Sequence, residues 1–108
     1  MSYRLHIYRG GVLIGYVNHD DQWPGESFEP TAEFSKVEHL FQSDRELCEK
    51  ADQCLTEGKQ EESEQWLEKA DRAQDKIVEP GVRLETPDGS HGFSCDMLVI
   101  FEGRVCWR

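Results

Sequence analysis

The residues of this 108-residue chain whose types could do chemistry are few and scattered. Asn18-His19-Asp20-Asp21 places an imidazole beside two carboxylates, a donor set that binds a divalent metal or moves a proton. A second histidine, His91, stands in Gly89-Ser90-His91-Gly92. A metal- or ligand-binding enzyme would need the fold to bring His19, Asp20 and His91 together. Gly89–Gly92 lacks the form of a phosphate loop, because a strand rather than a helix N-terminus follows it and no Lys comes after. Ser94 and Cys95 fall in that following strand without a base to activate them, so neither reads as a nucleophile. His39 reads as helix surface and His6 as the polar face of a strand. Cys48, Cys54, Cys95 and Cys106 include no CxxC pair, and Cys48 and Cys54 are separated by about 600° around a helix, on different faces. No apolar stretch with a cleavage site opens the chain, so the expectation is a cytoplasmic protein with four free thiols acting as small buried or half-buried hydrophobes. No cofactor or metal is expected.

The acids say more. Net charge is −10 and the pI about 4.7, which argues against direct binding to nucleic acid or to anionic lipid, since both need clustered Lys and Arg. No apolar run is long enough to span a bilayer. Residues 18–79 carry 18 acids against 7 bases, whereas the two ends together carry 4 against 5, so the imbalance belongs to the middle. Within it Glu61, Glu64, Glu68, Asp71 and Asp75 recur at spacings of 3 and 4, flanked by Glu57 and Glu79. At about 100° per residue the five fall together, opposite Trp66, Ala70 and Ile77. Two readings compete. As the solvated side of an amphipathic helix, the row is served by a Glu68–Arg72 pair and by acids crowding the first turns. As a functional surface, carboxylates every ~5 Å present a negative rod to a basic groove. The dipole argument leaves Asp71, Asp75 and the loop acids Asp20, Asp21, Glu26 and Glu29 unexplained. Trp23, in the acidic loop Gln22-Trp23-Pro24-Gly25, either pins that loop or anchors an interface.

The elements that must position these residues are legible in the periodicities. Tyr3, Leu5 and Ile7 alternate with Arg4, His6 and Tyr8, as in a half-buried strand. A turn at Arg9-Gly10 would pair Ile7 with Val12, Leu5 with Ile14 and Tyr3 with Tyr16, all on one sheet face. At the other end a Glu102-Gly103 turn would pair Ile100 with Val105 and Leu98 with Trp107, leaving Met97, Val99, Phe101 and Cys106 on a second apolar face that needs a cover or another subunit. Val82–Thr86 alternates and ends at the turn signal Pro87-Asp88-Gly89. Residues 18–30 read as a loop. From Thr31 the period turns helical through Phe34, Val37, Leu40 and Phe41; Ser43 and Glu46 form a capping box that could restart the helix, and Gly58 closes it. A further helix runs from Gln60 to Val78.

Ala51…Leu55…Gly58-Lys59-Gln60-Glu61-Glu62-Ser63…Leu67-Glu68-Lys69-Ala70 resembles one tetratricopeptide-type helix-turn-helix, with small residues where the helices cross and Gly in the turn. Gln60 and Ser63 depart from that pattern, and it occurs once; the likeness implies an antiparallel helical hairpin and no peptide groove. The expected architecture is a single α+β domain over 1–108, two-layer, with an antiparallel sheet of about five strands (two N-terminal, three C-terminal) covered on one face by the hairpin. Such a chain reads as a non-enzymatic acidic module, an inhibitor of the immunity, anti-defence or nucleic-acid-mimic type, docking Asp20, Asp21, Trp23, Glu61, Glu64, Glu68, Asp71 and Asp75 on a basic protein surface. The alternatives are the His19/Asp20/His91 enzyme and an acidic chaperone or adaptor that binds through Met97, Val99 and Phe101; on any of these readings the second apolar face makes the chain a candidate homodimer.

Overall fold

The computed structural model describes residues 3–19 and 26–108. Strand β1, Tyr3–Arg9, pairs antiparallel with β2, Val12–His19, through a turn at Gly10-Gly11 with φ of 59° and 81°. Two successive positive φ values are what a tight hairpin turn needs, and two glycines supply them without a side-chain clash. The pairing therefore differs from the one expected: Arg9 faces Val12, Ile7 faces Gly15, Leu5 faces Val17 and Tyr3 faces His19. Ile14 is an extra residue in a bulge between the Ile7 and Tyr8 rungs, which lets Ile7 and Ile14 both be buried. Tyr16 lands opposite His6, its ring edge-on to the imidazole at 5.0 Å, away from Leu5 and Ile7.

Among the described residues the sheet has seven strands rather than about five. Part of the expected loop is strand β3, Glu26–Pro30, which pairs with β2 along its whole length. Gly15 makes this possible, because a Cβ there would meet the Phe28 ring. Thr31 then fastens the end of β3 to β2 through bonds to the carbonyls of Ile14 and Leu13. After the helices come β4, Val82–Glu85, on β1, and β5, Gly92–Cys95, on β4. Strands β6, Leu98–Phe101, and β7, Arg104–Trp107, form the C-terminal hairpin with Ile100 opposite Val105 and Leu98 opposite Trp107, as expected.

Strand order is β5-β4-β1-β2-β3-β7-β6. Only Asp96 and Met97 separate β5 from β6, although the two lie at opposite ends of this order. Three Cα steps reach about 11 Å, whereas six gaps of a flat sheet would span about 29 Å. The sheet must therefore curl until its edges approach. Asp96 and Met97 bond the carbonyl of Arg108 beyond β7, and the rings of Phe93 on β5 and Trp107 on β7 stand 6.4 Å apart across the seam. The flat two-layer picture is replaced by a curled sheet with a helical hairpin against its β6 side.

The helical period at Thr31 begins as a 3-10 turn, Ala32–Lys36, followed by one uninterrupted helix α1, Glu38–Thr56. Ser43 restarts nothing. Helix α2, Gln60–Val78, returns after a turn in which Gly58 takes φ 78° and Lys59 bonds the Cys54 carbonyl. Small buried residues, Ala51, Ser63 and Ala70, let the helices approach, and the Ser63 hydroxyl donates to the Ala51 carbonyl at 2.9 Å. The hairpin is the one the repeat-like sequence implied. Phe34, Phe41 and Ile77 complete a core with Ile7, Ile14, Val17, Leu84, Leu98, Ile100 and Val105. Each such side chain contributes about 1.5–3 kcal/mol by leaving water.

Two polar side chains lock the hairpin to the sheet. Arg9 of β1 donates to the Ile77 and Lys76 carbonyls at 2.8 and 3.0 Å, satisfying the C-terminal end of α2 where a cation is favoured. Gln74 of α2 meets β6: its amide nitrogen donates to the Leu98 carbonyl at 2.8 Å and its oxygen accepts from the Leu98 N–H at 3.2 Å, as a neighbouring strand would. The same nitrogen donates to Asp44 of α1 at 3.1 Å.

Candidate functional site

Asp20, Asp21 and Trp23 lie outside the described residues, as does the side chain of His19. His91 engages its own turn. Asp88 accepts from the Ser90 amide, the Ser90 hydroxyl and the Thr86 hydroxyl, which holds its carboxyl below the usual range. The Ser90 oxygen also lies 2.9 Å from His91 Nδ1. Serine stands between acid and imidazole here, so the acid does not orient the base, and the cluster has the geometry of a turn rather than of a nucleophile with its general base. Among the described residues no group of three or more His, Cys, Asp or Glu side chains is arranged to hold a metal ion. Cys95 is buried and Cys48 half-buried, and burial pushes both thiols up, away from thiolate. Cys106 is exposed, against the expectation that all four would be covered, because it sits on the outward face of β7.

The five carboxylates of the row, Glu61, Glu64, Glu68, Asp71 and Asp75, are all exposed along α2. Glu68 pairs with Arg72 at 3.6 Å, with both side chains more than two-thirds exposed, so that pair contributes little. Among the described residues the other four have no ion-pair partner within 4.0 Å. Lys69, Arg72 and Lys76 form a second row on the same helix, beside the acids. With His39, Leu40, Ser43, Leu47 and Ala73 they line a groove of about 430 Å³ between α1 and α2. The ammonium groups of Lys50 and Lys69 lie 4.7 and 4.4 Å from the ring centre of Trp66. Sequence spacing showed the acid row and passed over this basic one, although 69, 72 and 76 carry the same 3 and 4 signature.

A larger cleft, of about 630 Å³, opens between α1, the end of β3 and the β6–β7 turn. Its floor is Phe28, Phe34, Phe41, Ile100 and Phe101; the Phe28 and Phe34 rings meet edge-on at 4.8 Å, and Phe34 and Phe41 lie 5.6 Å apart. Among the described residues four carboxylates, Glu38, Glu46, Glu49 and Glu102, stand around it with a single cation, Arg45. The Arg45 guanidinium lies 3.8 Å over the Phe101 ring and its Nε donates to Glu49 at 3.0 Å. Phe101 is thus half-covered by α1; Met97 and Val99 are half-buried too, so the second face of the C-terminal hairpin is not the open apolar surface it could have been. Glu102 has φ 49°, the one non-glycine with positive φ among the described residues. A side chain in that conformation costs about 1–2 kcal/mol, and the two-residue turn between Phe101 and Arg104 imposes it, with Gly103 beside it at φ 74°.

Asp44 is 3% exposed, with one oxygen bonded to Gln74 and the other without a partner among the described residues. Burial pushes its carboxyl up, and the nearby Asp71 adds to the shift against the hydrogen bond from Gln74. No helix among the described residues is long and apolar enough to cross a membrane. No family model matches the chain, and no curated protein or solved structure shows significant similarity to it.

Proposed function

We propose that this chain is a non-enzymatic binding module whose acidic surface docks on a basic region of another protein, occluding it as an inhibitor or nucleic-acid mimic would. The observation that carries the reading is the row on α2: five exposed carboxylates at helical spacing, four of them without an ion-pair partner among the described residues. Carboxylates kept as self-neutralising surface would be interleaved with Lys and Arg at i,i+4, as Arg45 and Glu49 are on α1. On α2 the bases Lys69, Arg72 and Lys76 form a row of their own beside the acids, and among the described residues only Glu68 of the five is paired with one of them. The tight turn holding His91, with serine between acid and imidazole, favours this reading over a hydrolase or metal enzyme.

Rods of negative charge speed and orient encounter with a basic groove, and the attraction is screened over about 8 Å at physiological salt. The test is low-salt capture of partners on immobilised protein, in parallel with an E61K/E64K/E68K variant, followed by a salt gradient. Partners held through the row elute early in the gradient and are lost from the variant. Partners retained equally by both proteins and insensitive to salt would sink the proposal.

A further inference from the structure

We infer that the cleft between α1 and β6 is a second recognition site, one that takes an extended, arginine-bearing peptide segment of a partner; it rests on the reading of the chain as a binding module for basic proteins. Three observations converge on that ligand. The rim is unbalanced: Glu49 is engaged by Arg45, which leaves Glu38, Glu46 and Glu102, all exposed, facing a cleft with no second cation among the described residues. The floor already holds a guanidinium, since Arg45 lies flat on Phe101 with a carboxylate at its edge. An incoming arginine would repeat that arrangement on the neighbouring rings, with an apolar neighbour filling the aromatic floor.

The third observation sets the backbone form of the ligand. Leu98 turns its N–H and C=O away from β7, where Gln74 takes both. Two residues on, Ile100 turns its own pair the same way by the alternation of an antiparallel ladder. Ile100 lines the cleft, β6 is the last strand of the sheet, and no described residue hydrogen-bonds these two groups. An extended segment can therefore add to β6 at Ile100 while its alternate side chains reach rim and floor. A small cation would use the charge and leave the strand edge unpaired.

The probe is a fluorescein-labelled heptapeptide alternating arginine and leucine, titrated against the whole chain by fluorescence anisotropy at about 150 mM salt, where distant charges are screened. E46Q and E102G each weaken binding about tenfold, the loss of one charge-assisted pair. E102G also relieves the positive φ and unfolds at higher urea than wild type, so weaker binding by it is not misfolding. A glutamate–leucine heptapeptide does not bind, and N-methylating alternate amides weakens the arginine peptide. Unchanged affinity in E46Q and E102G would overturn the cleft assignment. Undiminished binding of the N-methylated peptide, or displacement by spermine as effective as by unlabelled peptide, would overturn the peptide-strand assignment. Failure of the α2 row to matter in partner capture would remove the reading of the row and leave these outcomes as they are.

Discussion

Replacing Gln74 with leucine removes a side chain that bridges three elements. Its nitrogen donates at 2.8 Å to the Leu98 carbonyl and at 3.1 Å to Asp44, and its oxygen accepts at 3.2 Å from the Leu98 N–H. Leucine fills similar space and leaves two strand groups and one carboxylate, 3% exposed, without partners. Each unsatisfied buried group costs about 1–3 kcal/mol, so Q74L loses about 4 kcal/mol, a large share of the 5–15 kcal/mol typical of a small domain. Thermal unfolding followed by circular dichroism should show a midpoint lower by about 20 °C. The loss depends on pH. In wild type the Asp44 carboxyl lies above its ordinary value, so the folded state holds that proton more tightly than the unfolded chain does. Its contribution is then most favourable below the unfolded value and is lost as pH rises through the folded one. Q74L takes away the one hydrogen bond that lowers the folded value, steepening this trend, and its deficit should shrink between pH 7 and pH 5. D44N removes the trend, stabilises the protein at pH 7, and when added to Q74L recovers part of the loss. A Q74L variant that loses less than about 1 kcal/mol, or whose deficit is the same at pH 5 and pH 7, would refute the account of the latch.

G15A places a methyl group against the Phe28 ring and 2.8 Å from the Glu29 carbonyl oxygen. Urea unfolding should show a loss of about 1–3 kcal/mol from overpacking, and a Phe28 pushed off β2 should also weaken the arginine–leucine peptide. R9M removes two charge-assisted bonds from the end of α2. The expected cost is about 1–3 kcal/mol, with hydrogen exchange quickening first at the amides of residues 74–78; uniform quickening across the chain would contradict a cap.

Much of the frame was legible because local chemistry dictated it. The C-terminal hairpin was read in its true register since Glu102-Gly103 leaves one turn to choose and Leu98 and Ile100 point one way only. In the N-terminal hairpin the turn lies one residue later than expected, which moves each partner by two residues up to the bulge, because both Gly10 and Gly11 can take positive φ and sequence does not say which pair turns. The bulge at Ile14 then hides the true alternation. Strand β3 has one large apolar residue, Phe28, between acids and a proline, so its strand character comes from β2 and from the space at Gly15, not from its own pattern. The single strand expected after Gly92 is two, β5 and β6, divided at Asp96-Met97 and sent to opposite edges of the sheet. No local signal marks that division.

That last error explains why the α2 row was visible in sequence and the cleft was not. A helix writes its surface into the chain at every third or fourth residue, so Glu61 to Asp75 could be assembled by arithmetic alone. The cleft gathers Phe28 from β3, Phe34 from the 3-10 turn, Glu38 to Glu49 from α1 and Ile100 to Gly103 from the far end of the chain. Those meet only because the curled sheet lays β7 beside β3 and α1 against β6, through a single rung at Ser27 and Arg104 and a bond from the Phe28 amide to the Gly103 carbonyl. One residue did carry a signal. A glutamate ahead of Gly103 occupies a turn position that Asn, Asp or Gly fills at lower cost, and the two-residue turn holds it at φ 49° beside Gly103 at 74°. Where a turn carries a residue costlier than its geometry favours, the side chain is the place to look for function.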